Sequence, residues 1–103
     1  MEQIPLPERS YREINENRRR LLRLAYSSYP EYVYCPREQY GWDDPEGRAN
    51  IFDLYYLHDR GCVEVMNGGA DSRRRPDFFI LTPHGADLVE IPGNLDKILP
   101  LED

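Results

Sequence analysis

The chain reads as one small α+β domain in which helices come first and a β-hairpin follows. Three observations predict this. An amphipathic run begins at a serine with capping chemistry, a second helix is bracketed by Asp44-Pro45-Glu46 and Gly61, and two β-rich runs flank a turn-rich loop. At 103 residues there is room for one domain. Hydrophobic content of 40% and charged content of 31% are those of a folded globule, well away from disordered compositions.

Residues 1–9 carry Pro5 and Pro7 and little periodicity, which predicts a flexible leader. Ser10-Tyr-Arg-Glu13 matches a capping box, so the first helix should run from Tyr11 to about Tyr29 and stop at Pro30. At about 100° per residue Tyr11, Ile14, Leu21, Leu22, Ala25 and Tyr29 form one stripe, with Arg12, Glu16, Arg19, Arg20 and Arg23 opposite. Arg18 falls inside the apolar stripe. Either its stem lies along the core edge with the guanidinium outward, or a partner surface covers that face.

Residues 31–43 are aromatic-rich and broken by Pro36 and Gly41. They have room for a short helix near Pro36–Tyr40, with Trp42 and the tyrosines packing under it. Asp44 can then cap, Pro45 suits the first helical position and Glu46 complements the dipole. That helix should reach about Arg60 and end at Gly61, with Ile51, Leu54, Tyr55 and His58 inward and Leu57 at the flank. Cys62–Met66 and Asp77–Thr82 are strand-like, and the intervening loop is too long for a tight turn and leaves Arg73, Arg74 and Arg75 projecting. Thr82-Pro83 starts a short helix to Glu90, and Leu95–Leu99 adds one turn over the core. The domain should therefore span 10–92, with 93–103 a tail packed on it.

Helix, short helix, helix, strand, basic loop, strand, helix is the order of a winged helix-turn-helix domain. LYYLHDRGCVEV (Leu54–Val65) resembles the end of the third helix and first wing strand of that superfamily, in its small bacterial or phage type. FFILTPHGADLVE (Phe78–Glu90) resembles the second wing strand running into the helix beyond it. The resemblance covers about residues 46–90 and implies a three-helix core, a two-stranded wing hairpin and a short C-terminal helix. It departs from the pattern between the first and third helices, where the usual second helix is short or irregular.

What the resemblance implies is binding to double-stranded DNA and transcriptional regulation, with the third helix in the major groove and the wing on phosphates or in a minor groove. Fold analogy is a weak warrant for function, so individual side chains carry the weight. Arg48 and Asn50 are the types that read guanine and adenine, and Arg73, Arg74 and Arg75 could follow a phosphate backbone. Equally, those three could be solvated residues that keep the strand edge soluble. The outer face of the third helix should show Ala49, Phe52, Asp53, Tyr56 and Arg60, in which Asp53 repels phosphate. Phe52 and Tyr56 pack on the 31–43 segment or, if exposed, form a protein-contact patch. The first-helix arginines, balanced by Glu13 and Glu16, read as a solvated face.

Charge supports caution about DNA. The net charge is −6, and every basic residue except Lys97 is an arginine at or before Arg75. Asp77, Asp87, Glu90, Asp96, Glu102 and Asp103 make the far end acidic. Cys35 and Cys62 match no zinc motif and read as reduced, buried or half-buried thiols, although a composite site with His58 and His84 is conceivable. Without a phosphate-cradling glycine loop, nucleophile elbow or paired carboxylates, the chain is not expected to be an enzyme or to need a cofactor. The N-terminus lacks the apolar core of a signal peptide and no run is long enough to span a bilayer, which makes a cytoplasmic protein the default. Two functions remain: a DNA-binding regulator, for which the first helix or the tail offers a homodimer contact, and a protein-binding adaptor or inhibitor on the same scaffold.

Overall fold

The computed structural model describes residues 8–67 and 74–102. Helix α1 (Tyr11–Ser28) begins at the expected capping box: Ser10 Oγ accepts from the Glu13 amide, and the Glu13 carboxylate accepts from the Ser10 amide. These hydrogen bonds hold the Glu13 carboxyl below its usual range. Strand β1 (Val33–Tyr34) follows the Tyr29–Pro30 peptide, which is cis. Then come α2 (Pro45–Asp59), β2 (Val63–Met66), β3 (Phe78–Leu81), α3 (Pro83–Glu90) and α4 (Asn94–Ile98). Among the described residues, four helices and a three-stranded antiparallel sheet make a mixed α+β arrangement. In the described residues no helix is long and apolar enough to cross a membrane.

Two expectations change here. The stretch near Pro36–Tyr40 makes only one hydrogen-bonded turn, with the Gln39 and Tyr40 amides on the Pro36 carbonyl, so no second helix precedes α2. The two-stranded hairpin is instead a three-stranded sheet of order β1-β3-β2. Val33 pairs with Phe79 and Tyr34 with Phe78 on one side of β3, and Val65 pairs with Phe79 on the other. Phe79 is thus central and fully buried, a position that contributes about 1.5–3 kcal/mol for a side chain of this size.

The core gathers Leu21, Leu22 and Ala25 of α1, Ile51, Leu54 and Leu57 of α2, and Val63, Phe79 and Leu81 of the sheet, with Leu88, Leu95 and Leu99 closing one end. Both cysteines are free and buried. Burial pushes the Cys35 thiol up to about 12 and raises Cys62 as well. Helix α3 packs closely because residue 85 is glycine: a Cβ there would lie 2.1 Å from the Cys62 carbonyl oxygen. Gly61 closes α2 in the left-handed conformation at φ 78°.

The tail lies along the basic side of α1. Arg19 pairs with Asp96 at 2.8 Å and donates to the Leu99 carbonyl, Asn15 donates to the Pro100 carbonyl, and Arg12 donates to the Leu101 carbonyl. Part of the basic face of α1 is thereby occupied from within the chain.

Candidate functional site

Helix α2 is rotated relative to the face its apolar periodicity suggested. Leu57 is buried, Tyr55 and His58 are half-buried, and Ala49 and Asp53, expected outside, are buried. The cause is polar. Asp53, fully buried, accepts from Arg9 Nη1 at 2.7 Å, Arg9 Nη2 at 3.2 Å, Asn17 Nδ2 at 2.7 Å and Arg18 Nε at 3.2 Å. Donors from α1 and the residue before its cap therefore turn this carboxylate inward, since a buried charge is tolerated only when paired and hydrogen-bonded. Arg18 resolves differently from both readings of the sequence. Its guanidinium points into the protein, between Asp53 and the face of Tyr56, with Cζ 3.5 Å from that ring's centroid.

The expected DNA contacts separate into three groups. Asn50 is engaged internally: its amide donates to the Gln39 carbonyl at 2.8 Å, while its oxygen accepts from Asn17 and Arg20. Arg75, expected to project, is 6% exposed and donates to the Cys35 carbonyl at 3.1 Å while pairing with Asp77 at 3.0 Å. It ties the entry of β3 to the 35–40 turn. Arg48 and Arg74 reach the surface of one face, Arg48 half-buried over Trp42 and Arg74 exposed over Tyr55. Arg73, with Gly68 and Gly69, lies outside the described residues.

The face that Arg48 and Arg74 share contains a cleft of about 320 Å³ lined by Trp42, Arg48, Ile51, Phe52, Tyr55, Tyr56 and Asp59. Three of the four aromatic residues that line it come from one turn of α2, because Phe52, Tyr55 and Tyr56 fall at helical spacings of three and four. Trp42 supplies the opposite wall; Gly47 lets α2 approach this segment, since a Cβ there would lie 2.4 Å from the Gly41 carbonyl oxygen. Phe52 is 52% exposed. The aromatic rings hold arginines face-on: Arg48 sits 5.1 Å from Trp42, Arg74 4.8 Å from Tyr55 and Arg60 5.7 Å from Tyr56. The Tyr55 hydroxyl also donates to the Arg74 carbonyl at 2.7 Å, fastening the residues just before β3 to α2. The sequence singled out Phe52, Tyr56, Arg48 and Arg74 but missed Trp42 and Tyr55 as parts of the same surface. Their signal was present only as an aromatic-rich segment and as a supposed inward position.

The N-terminal end of α2 carries Asp43, Asp44 and Glu46, all exposed. Asp44 caps the helix by accepting from the Gly47 amide at 2.9 Å. Among the described residues no group of three or more His, Cys, Asp or Glu side chains is arranged to hold a metal ion. No protein-family model, curated protein or solved structure matches the chain.

Proposed function

We propose that this chain is a winged helix scaffold used as a protein-interaction module, with the cleft-bearing face of α2 as its contact surface. The winged helix reading is supported by the run of α2, β2, β3 and α3 and by the β1-β3-β2 sheet, while the short helix expected before α2 is a single hydrogen-bonded turn. The observation that carries the functional reading is the open aromatic cleft around Phe52. A half-exposed phenylalanine beside tryptophan and two tyrosines is the composition of an interface centre, where aromatic anchors and arginine dominate binding.

Duplex reading by α2 has weaker support. Asp44 and Glu46 are acidic and exposed at the N-terminal end of α2, and the carboxamide of Asn50 is spent on Asn17, Arg20 and Gln39. Replacing Phe52 by a photo-cross-linking phenylalanine analogue tests the proposal in cells. Protein adducts from position 52 are expected; adducts to nucleic acid alone, or none, would reject it.

DNA binding as a transcriptional regulator stays as the second reading because Arg74 is exposed at the base of the basic loop. It requires affinity for random duplex DNA that falls steeply with salt and a slope reduced by Arg74→Ala.

A further inference from the structure

The protein as a whole is anionic, yet the cleft on α2 is edged by cations. No carboxylate among the described residues pairs with Arg48, Arg60 or Arg74, and Arg48 Nε is buried without a hydrogen-bond partner. Asp59, an exposed carboxylate in the cleft wall, lies 3.2 Å from His58 Nδ1. Each of the three guanidiniums lies against an aromatic face. Stacking holds the plane of an arginine while leaving N–H donors along its edge, the geometry that takes a carboxylate in two parallel hydrogen bonds. Part of the rotamer entropy of the long side chain is already lost before a ligand arrives, which favours binding.

From this we propose that the cleft recognises an acidic segment of a partner protein that inserts one large apolar side chain between Trp42 and Phe52 and sets flanking carboxylates on Arg48 and Arg74. The inference rests on the interaction-module reading and gives it a ligand chemistry. A cavity of about 320 Å³ with mainly carbon walls needs an apolar plug, which a duplex phosphate backbone does not offer. The charge pattern argues the same way. A short segment bearing two carboxylates meets the local arginines, whereas a long polyanion also meets Asp44 and Glu46 and the net charge of −6.

The test uses the full chain to select from a displayed library of random peptides, with counter-selection on the Phe52→Asp chain. Phe52 is half exposed, so that variant should fold, and circular dichroism checks that it does. Enriched sequences should combine Asp or Glu with Phe, Trp, Leu or Met. Binding of a synthetic enriched peptide is then followed by the emission of Trp42, the single tryptophan of the chain. Affinity should fall about tenfold for Arg74→Ala and again for Arg48→Ala, roughly the loss of one charge-assisted hydrogen bond each. Arg23→Ala, exposed on α1, should bind as the parent does.

An Asn/Gln version of the peptide separates the two claims. If it binds as tightly as the acidic peptide, the acidic preference is wrong while the contact face stands. If selection enriches nothing over the Phe52→Asp chain, or enriches basic sequences, the proposal is overturned. If duplex DNA alone quenches Trp42, both the proposal and the reading beneath it fall.

Discussion

Replacing Asp53 by asparagine keeps the shape of the side chain and removes its charge, which makes it the sharpest probe of how α1 and α2 are joined. The carboxylate accepts four hydrogen bonds at 2.7–3.2 Å from Arg9, Asn17 and Arg18 and has no exposed surface. Removing one member of a buried pair costs about 3–5 kcal/mol, because the other charge stays buried and unmatched. Arg9 precedes the helix cap and its side chain is 12% exposed, so it can turn toward water and recover part of its hydration. Arg18 cannot, being held against Tyr56. The lower end of the range follows, about 3 kcal/mol. Against a total stability of about 5–15 kcal/mol this is a large fraction, and the melting temperature should drop by about 10–20 °C.

Urea unfolding followed by circular dichroism measures the loss as a lower midpoint at unchanged slope. Adding Arg18→Met to Asp53→Asn should recover about half of it, since an apolar stem then replaces the stranded guanidinium. A loss below about 1 kcal/mol for Asp53→Asn, the size typical of exposed pairs, would refute the buried-hub reasoning.

Other outcomes follow from the same structure. Arg75→Ala should destabilise the protein by about 2–3 kcal/mol in the same urea assay, because it removes charged hydrogen bonds to the Cys35 carbonyl and to Asp77. Arg74→Ala, exposed, should stay within about 0.5 kcal/mol of the parent, and equal effects for the two would contradict their assignment to interior and surface. Gly85→Ala should fail to fold or lose several kcal/mol, since backbone stands where its Cβ must go; normal stability would show that α3 can move away. The Cys35 thiol, raised to about 12 by burial, stays protonated in the native state. Its stabilising contribution is complete below the ordinary thiol value of 9.0 and is lost as pH rises from there toward 12. Cys35 should therefore resist iodoacetamide at pH 8 until urea unfolds the chain, and rapid native labelling would contradict its burial.

Local signals were legible and long-range ones were not. Ser10, Asp44 and Thr82 each cap a helix through a side-chain oxygen, chemistry contained within four residues of sequence, and all three helices begin where those residues predict. Gly61 closes α2 for an equally local reason. Strand β1 was hidden because two residues among tyrosines become a strand only by pairing with β3, far along the chain. Asp53 and Arg75 were placed outside because their partners, Arg9, Arg18 and the Cys35 carbonyl, lie 35–44 residues away. A charged residue on an apolar helix face says that something unusual happens there, but not which distant group receives it. The candidate site shows the same division: Phe52 and Tyr56 stood out by helical spacing, while Trp42 joined them only through the fold.

Trp42 emission in the full chain is the most direct test of whether this face meets protein or DNA. It should respond saturably to an acidic, apolar-anchored peptide and weaken with Arg74→Ala, while random duplex DNA leaves it unchanged even at low salt. A duplex-induced change that fades steeply with salt, and fades less in Arg74→Ala, would contradict the account and return this face to nucleic acid.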